Sequence, residues 1–185
     1  MILSILICTL PKRREMFEQL YGKVLLQIAM SNAVNEVELL WDDNDHITTG
    51  RKRNFLIDRA KGSFVVFIDD DDEITDDYVE SILTAIKQNP DVDCIGIEGY
   101  ITTDGDKRKD WSISIRHGYW HETDTHYLRT PNHISPVRRK IASHCRFPEI
   151  SYGEDMEYSK RILPFCKEET YINKSLYHYK YITEK

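Results

Sequence analysis

Residues 64–74 read FVVFIDDDDEI. Five large apolar side chains, Phe64 to Ile68, run directly into five acids, Asp69 to Glu73. Neighbouring like charges repel, most strongly beside a low-dielectric core. The run therefore requires bulk water, basic neighbours or a cation. Carboxylates at the end of a buried strand suit a hard divalent ion. Mg²⁺ and Mn²⁺ prefer oxygen ligands, and one or two carboxylates plus phosphate oxygens complete their shell. An acid run in an arbitrary chain is commonly a solvated turn ahead of a helix. Its place after a buried strand favours the cation here, because α/β sheets bind ligands at the C-terminal ends of their strands.

Other residues could carry chemistry beside it. Gly153-Glu154-Asp155 reads as a loop opening a helix. A helix N-terminus favours an ionised carboxylate, which suits Asp155 either as a general base or as a cap. His178 and His133 are candidate ligands or hydrogen-bonded structural histidines. Of the basic triplet Arg51-Lys52-Arg53, Arg53 is the candidate for phosphate neutralisation. Trp111 and Trp120 offer aromatic faces on which sugars or bases stack.

These residues need a scaffold. ILSILIC (2–8) has the apolar density of a strand buried on both faces. Phe17, Leu20, Tyr21, Val24, Leu25 and Ile28 recur at helical spacing after Pro11. EVELLW (36–41) is a second strand, 50–61 a basic helix, FVVFI a third strand. Val79, Ile82, Leu83 and Ile86 set a helical stripe that Asn89-Pro90 ends. DCIGIEGYI (93–101) is a fourth strand, 154–163 a helix, and YINKSLYHYKYI (171–182) a terminal strand. This alternation predicts an α/β domain with a mixed, mostly parallel central sheet. The segment 102–131 carries no clear periodicity beyond WSISIRH, which alternates like an edge strand; a long functional loop is the expectation there.

GRKRNFLIDRAKGSFVVFIDDDDEITDDYVESI resembles the G-x-x-R-N, A-x-G and DxD segment of family-two glycosyltransferases with the GT-A fold. The resemblance implies donor contacts from Asp42 and Asp43 in WDDND, from Arg53 and Asn54, and from Asp69 and Asp70. It also implies donor contacts from Thr9 and Pro11 in the loop after the first strand, and a metal at Asp71 and Asp69. NHISPVRRKIASHCRFPEISYGEDMEYSKRI is similar to the family's acceptor-side block and implies Glu154 and Asp155 as the catalytic pair, with Asp155 the base. His178 matches the downstream metal or diphosphate histidine. The implied activity moves a sugar from a nucleotide-sugar, a UDP-sugar by expectation, to an acceptor hydroxyl, by an inverting displacement dependent on Mn²⁺ or Mg²⁺. A cation bridging the diphosphate would offset the leaving-group charge, and a carboxylate would take the acceptor proton.

The chain has 185 residues, 41% hydrophobic and 30% charged, which fits one soluble domain. Residues 1–101 form its donor half and 102–185 its acceptor half by this reading. No apolar run approaches the ~20 residues of a membrane span. MILSILICTLPKRR has its basic residues after the apolar run, unlike a signal peptide. Cys8, Cys94, Cys145 and Cys166 are scattered, which disfavours a zinc site and suits a cytoplasmic setting. The net charge of -6 disfavours a broad nucleic-acid surface. Local basic stretches at 50–62 and 137–140 keep a modified DNA base among the conceivable acceptors, with glycans, proteins and small molecules. Two other functions compete: a non-catalytic nucleotide-sugar-binding domain, and a Mg²⁺-dependent phosphate-transfer enzyme. Against the second, Glu73 stands where an aspartyl phosphatase motif needs Thr.

Overall fold

The apolar N-terminal run forms strand β1 (Leu3–Cys8) of a computed structural model that describes residues 1–183. A 3₁₀ turn at Pro11–Arg13 leads into α1 (Arg14–Met30), then β2 (Val37–Asp42), α2 (Thr49–Arg59) and β3 (Phe64–Phe67). Next come β4 (Glu73–Ile74), α3 (Tyr78–Gln88), β5 (Cys94–Thr103) and β6 (Asp106–Ile113). The chain continues through β7 (His121–Glu122), β8 (His126–Arg129), β9 (Val137–Arg138), α4 (Arg139–Cys145), α5 (Glu154–Ile162) and β10 (Glu169–Tyr181).

Period-two alternation divides the strands between two cores. Leu3, Ile5 and Ile7 of β1, with Phe64 and Val66 of β3, pack against Phe17, Leu20 and Val24 of α1 and Val79 and Ile82 of α3. Leu6, Val65 and Phe67 point the other way, onto Leu56 and Ile57 of α2, Ile141 of α4, and Tyr158 and Ile162 of α5. The result is a sheet between two helical layers. Each fully buried Ile or Leu contributes about 2 kcal/mol, so the strand ends that carry the site rest on a well-anchored platform.

β2, β1 and β3 pair in parallel, with Cys8 opposite Asp42 and Leu6 opposite Phe67. Their C-terminal ends therefore share one sheet edge, where the loops beginning at Thr9, Asp43 and Ile68 emerge. β10 runs parallel to β5 over most of its length and antiparallel to β4. The sheet thus joins both halves of the chain, since β10 pairs with strands of the first half.

The segment 102–131 corrects the expectation of a loop with an edge strand. β6 spans 106–113 and is internal, paired antiparallel to β5 and parallel to β8. β7 and β8 follow as a small antiparallel pair at the sheet's end. Polar residues on β6 hid the strand, because its pairing partners are set by long-range topology. No helix among the described residues is long and apolar enough to cross a membrane.

Candidate active site

The five acids do not share one solvent face. Asp69 accepts from Arg53 Nη2 at 3.2 Å and faces His133 Nε2 at 3.1 Å. Asp70 accepts from the Thr9 hydroxyl at 2.7 Å and from Arg13 Nη1 at 2.8 Å. Arg13 also lies 3.2 Å from Asp71. Asp72 turns inward, accepting from the Tyr177 hydroxyl and the Lys180 backbone N–H, each at 2.8 Å. Glu73 pairs with Lys180 and His178. The charge that the sequence left unexplained is distributed over several protein partners, with Arg13 shared by Asp70 and Asp71.

The carboxyls are correspondingly unequal. Burial opposes ionisation of Asp69, but the neighbouring His133 and then Arg53 hold it well below the usual carboxylate range. Burial, reinforced by the charge of Asp69, pushes Asp72 well above that range. Burial also raises Asp70 against the opposing pull of Thr9 and Arg13.

Arg53 is a buried centre of the site. Its guanidinium lies between the rings of Phe67 and Phe147, 5.5 and 5.3 Å from their centroids. Beyond Asp69 it reaches Glu154, with Nη1 3.0 Å from Oε1. Burial raises the Glu154 carboxyl, with Arg53 pulling against it. Arg53 therefore ties the end of β3 to the start of α5. The loop before α5 is fixed from the other side by Gly50, whose N–H donates to the Ile150 carbonyl at 3.0 Å. A Cβ at Gly50 would stand 1.8 Å from the Pro148 carbonyl oxygen, so only glycine permits this approach. Gly153, with φ +77°, makes the left-handed turn that starts α5.

Two cavities meet here. One, of about 370 Å³, is lined by Thr9, Arg13, Lys52, Asp69, Asp70 and Asp71, and on its far side by Asp45, Ile47 and Tyr152. The other, of about 430 Å³, is lined by Trp111, Trp120, Tyr127, Arg129, Asp155 and Tyr179, among others including His133. The Asp69–His133 contact is their shared boundary. Both tryptophans singled out in the sequence thus reach one cavity, together with Asp155. The Asp155 carboxylate makes no hydrogen bond or ion pair with the described residues. His133 is the histidine at Asp69, whereas His178 meets the acid run only at Glu73. The proximity of His133 to Asp69 has no sequence signal across a separation of 64 residues.

The remaining candidates fall in different places. Thr9 lines the first cavity, and Lys52 Nζ donates to its carbonyl at 2.6 Å. Pro11 begins the 3₁₀ turn that presents Arg13. Asp42 caps its own loop, accepting from the Asn44 N–H, while Asp45 and Ile47 form the cavity wall on that side, in place of Asp42 and Asp43. Asn54 is buried. It clamps the Phe147 backbone, donating to the carbonyl at 3.0 Å and accepting the N–H at 2.9 Å. His178 stacks on Tyr100 and contacts Thr102 at 2.8 Å, on the opposite face of β10 from Tyr177 and Tyr179. The structure does not bring it to Asp69 and Asp71. The basic stretches are divided: Arg138 and Arg139 hold the Val92 and Gly62 carbonyls and Lys52 and Arg53 are buried, whereas Arg51, Arg59, Lys61 and Lys140 are exposed.

No group of three or more His, Cys, Asp or Glu among the described residues could alone hold a metal. Asp69 and Asp71 do line an open cleft, one of them firmly ionised. That donor set fits a Mg²⁺ or Mn²⁺ ion whose other ligands are diphosphate oxygens and water.

The family model described as Glycosyl transferase family 2 matches residues 32–146. The chain is 28% identical over 159 residues to the Bacillus subtilis (strain 168) protein named "Putative glycosyltransferase EpsH", a match covering 79% of this chain and 45% of that protein. The chain thus spans about half the length of this curated relative. Among solved structures, S. aureus TarS 1-349 in complex with UDP superposes with a TM-score of 0.68 at 17% identity, over 97% of this chain and 60% of that one. The complex of the same protein with UDP-GlcNAc gives 0.66 at 15% identity, over 97% and 58%. At these identities the likeness establishes the fold.

Proposed function

The chain belongs to glycosyl transferase family 2, and from that premise we propose that it moves a sugar from a nucleotide-sugar donor to an acceptor hydroxyl. UDP is the donor nucleotide in this reading, supported by the UDP and UDP-GlcNAc complexes of a protein with the same fold. The observation that carries the proposal is the meeting of two cavities at Asp69–His133, with the unengaged Asp155 carboxylate in the second.

The cleft beside Thr9, Lys52 and the acid run takes the donor diphosphate. Asp69 and Asp71 are the residues that would hold a Mn²⁺ or Mg²⁺ ion. When bound, the ion supplies positive charge against the departing diphosphate. Arg53 keeps Asp69 ionised and in place. Trp111, Trp120 and Tyr127 give the acceptor ring an apolar face, which also displaces water from the reacting carbon. Asp155, in the first turn of α5, takes the proton of the attacking hydroxyl. Attack from the cavity opposite the leaving group gives inversion in a single displacement. Glu154 positions the helix through Arg53 and does not face the acceptor. Four unpaired cysteines suit a cytoplasmic setting.

The test is turnover of UDP-sugars with Mn²⁺ by wild type and by Asp155→Asn. Loss of the base lowers kcat by about 10²–10⁴-fold while UDP affinity stays the same. The anomeric configuration of the product reports inversion. Equal turnover by both proteins removes Asp155 from the chemistry.

A further inference from the structure

The aromatic cavity contains a cation that sugar transfer, as described above, does not use. Arg129 ends β8 and lies in the cavity wall. Its guanidinium carbon stands 5.0 Å from the Trp120 ring centroid and 4.9 Å from that of Tyr127. Nη1 donates to the carbonyls of His121 at 2.8 Å and Leu128 at 3.3 Å. These contacts fix the group without neutralising it. No carboxylate of the described residues lies within ion-pair distance of Arg129. Glu122 and Asp155 act on it only from further off, and Glu122 is taken by Lys109 at 3.0 Å. The contrast with Arg53, which has two carboxylates, is direct. A half-buried guanidinium loses hydration that only an anion or good hydrogen-bond acceptors restore.

We propose that the acceptor carries an oxyanion, a carboxylate or a phosphate, that pairs with Arg129. The ring bearing it lies against Trp120, and its attacking hydroxyl reaches Asp155. This rests on the acceptor reading of the aromatic cavity. The planar guanidinium fork matches either oxyanion in a bidentate pair. Keeping the acceptor's anion on the Arg129 side also keeps it from the Asp155 carboxylate.

Calorimetry on the full chain, saturated with UDP and Mn²⁺, decides this with matched probes. These are para-nitrophenyl glucoside, para-nitrophenyl glucuronide, and the same glucoside phosphorylated on its primary hydroxyl. Wild type binds at least one anionic probe about tenfold more tightly than the neutral one, as a charge-assisted bidentate pair requires. Which of the two it prefers identifies the oxyanion. Arg129→Gln abolishes the preference and Arg129→Lys keeps part of it, an outcome that a purely structural strut between β7 and β8 would not give. If Arg129→Gln does not fold, wild type still decides. Its preference must shrink between about 50 and about 500 mM salt, as screening demands. Equal binding of neutral and anionic probes, no binding of the anionic ones, or a preference that survives Arg129→Gln overturns the proposal. The UDP titration of the same sample separates the two readings: failure of UDP to bind overturns the donor cleft, whereas UDP binding without anion preference overturns the Arg129 role alone.

Discussion

Arg53 and Asp69 form a 3.2 Å ion pair in which the arginine is buried, and the same guanidinium lies 3.0 Å from Glu154. One cation thus couples the end of the third strand to the helix that carries Asp155. Removing it leaves two carboxylates in a poorly hydrated place and opens a gap between Phe67 and Phe147.

Arg53→Met accordingly costs about 3–5 kcal/mol of unfolding free energy, the loss expected when one partner of a buried pair is removed. Adding Glu154→Leu recovers part of it, because neighbours in one network are not additive. Urea denaturation of the two single variants and the double variant measures both. A cost below about 1 kcal/mol would show that the pair is solvated.

Asn54 gives a discriminating result because its sequence context implies a nucleotide contact and its geometry shows a backbone clamp. Asn54→Ala lowers stability by about 2 kcal/mol, since two buried backbone groups of Phe147 lose their partners. UDP affinity of the folded variant changes by less than about twofold, well under 1 kcal/mol. A large loss of UDP affinity at unchanged stability would restore the nucleotide role.

Metal dependence is expected to be conditional. Because no group of three or more ligating side chains among the described residues could hold a metal, Mn²⁺ alone raises the melting temperature little, whereas Mn²⁺ with UDP raises it clearly. Asp71→Ala and EDTA each abolish transfer. Full activity in metal-free buffer, measured by UDP release, would defeat the reading.

Cys8 supplies a pH test. Burial first, then the charges of Asp69 and Asp42 against Arg53 and Lys52, push its thiol up to about 12. The raised value means that the neutral thiol dominates at working pH. Iodoacetamide therefore alkylates Cys8 at pH 8 about a thousandfold more slowly than in the denatured chain. The rate should keep rising as pH climbs past the ordinary thiol range, where an exposed cysteine levels off. Mass spectrometry of the labelled peptides follows it, and labelling at the denatured rate contradicts the burial.

Much of the first half of the chain was legible because its signals are local. Apolar runs at 3–8 and 64–67 and stripes at helical spacing specify strands and helices through backbone periodicity, and a parallel order of β2, β1 and β3 places their loops at one edge. The acid run was legible as a site for the same reason: it follows a buried strand directly. The segment after residue 101 was less so. Only the end of β6 alternates like a strand, at an edge by its sequence, and β8 reads as polar chain until the pairing with β5 and with each other is known.

The sequence by itself determined the α/β architecture, the position of the acids at a strand end and the start of a helix at Glu154–Asp155, because each follows from neighbours within a few residues. Only the tertiary structure decided which charge meets which. It turned Asp72 inward to Tyr177, 105 residues away, and chose His133 over His178 as the neighbour of Asp69. It made Asn54 a clamp and left Arg129 beside Trp120 without a counterion among the described residues. Electrostatic partners are selected by distance and burial in three dimensions, and no local pattern along the chain encodes either.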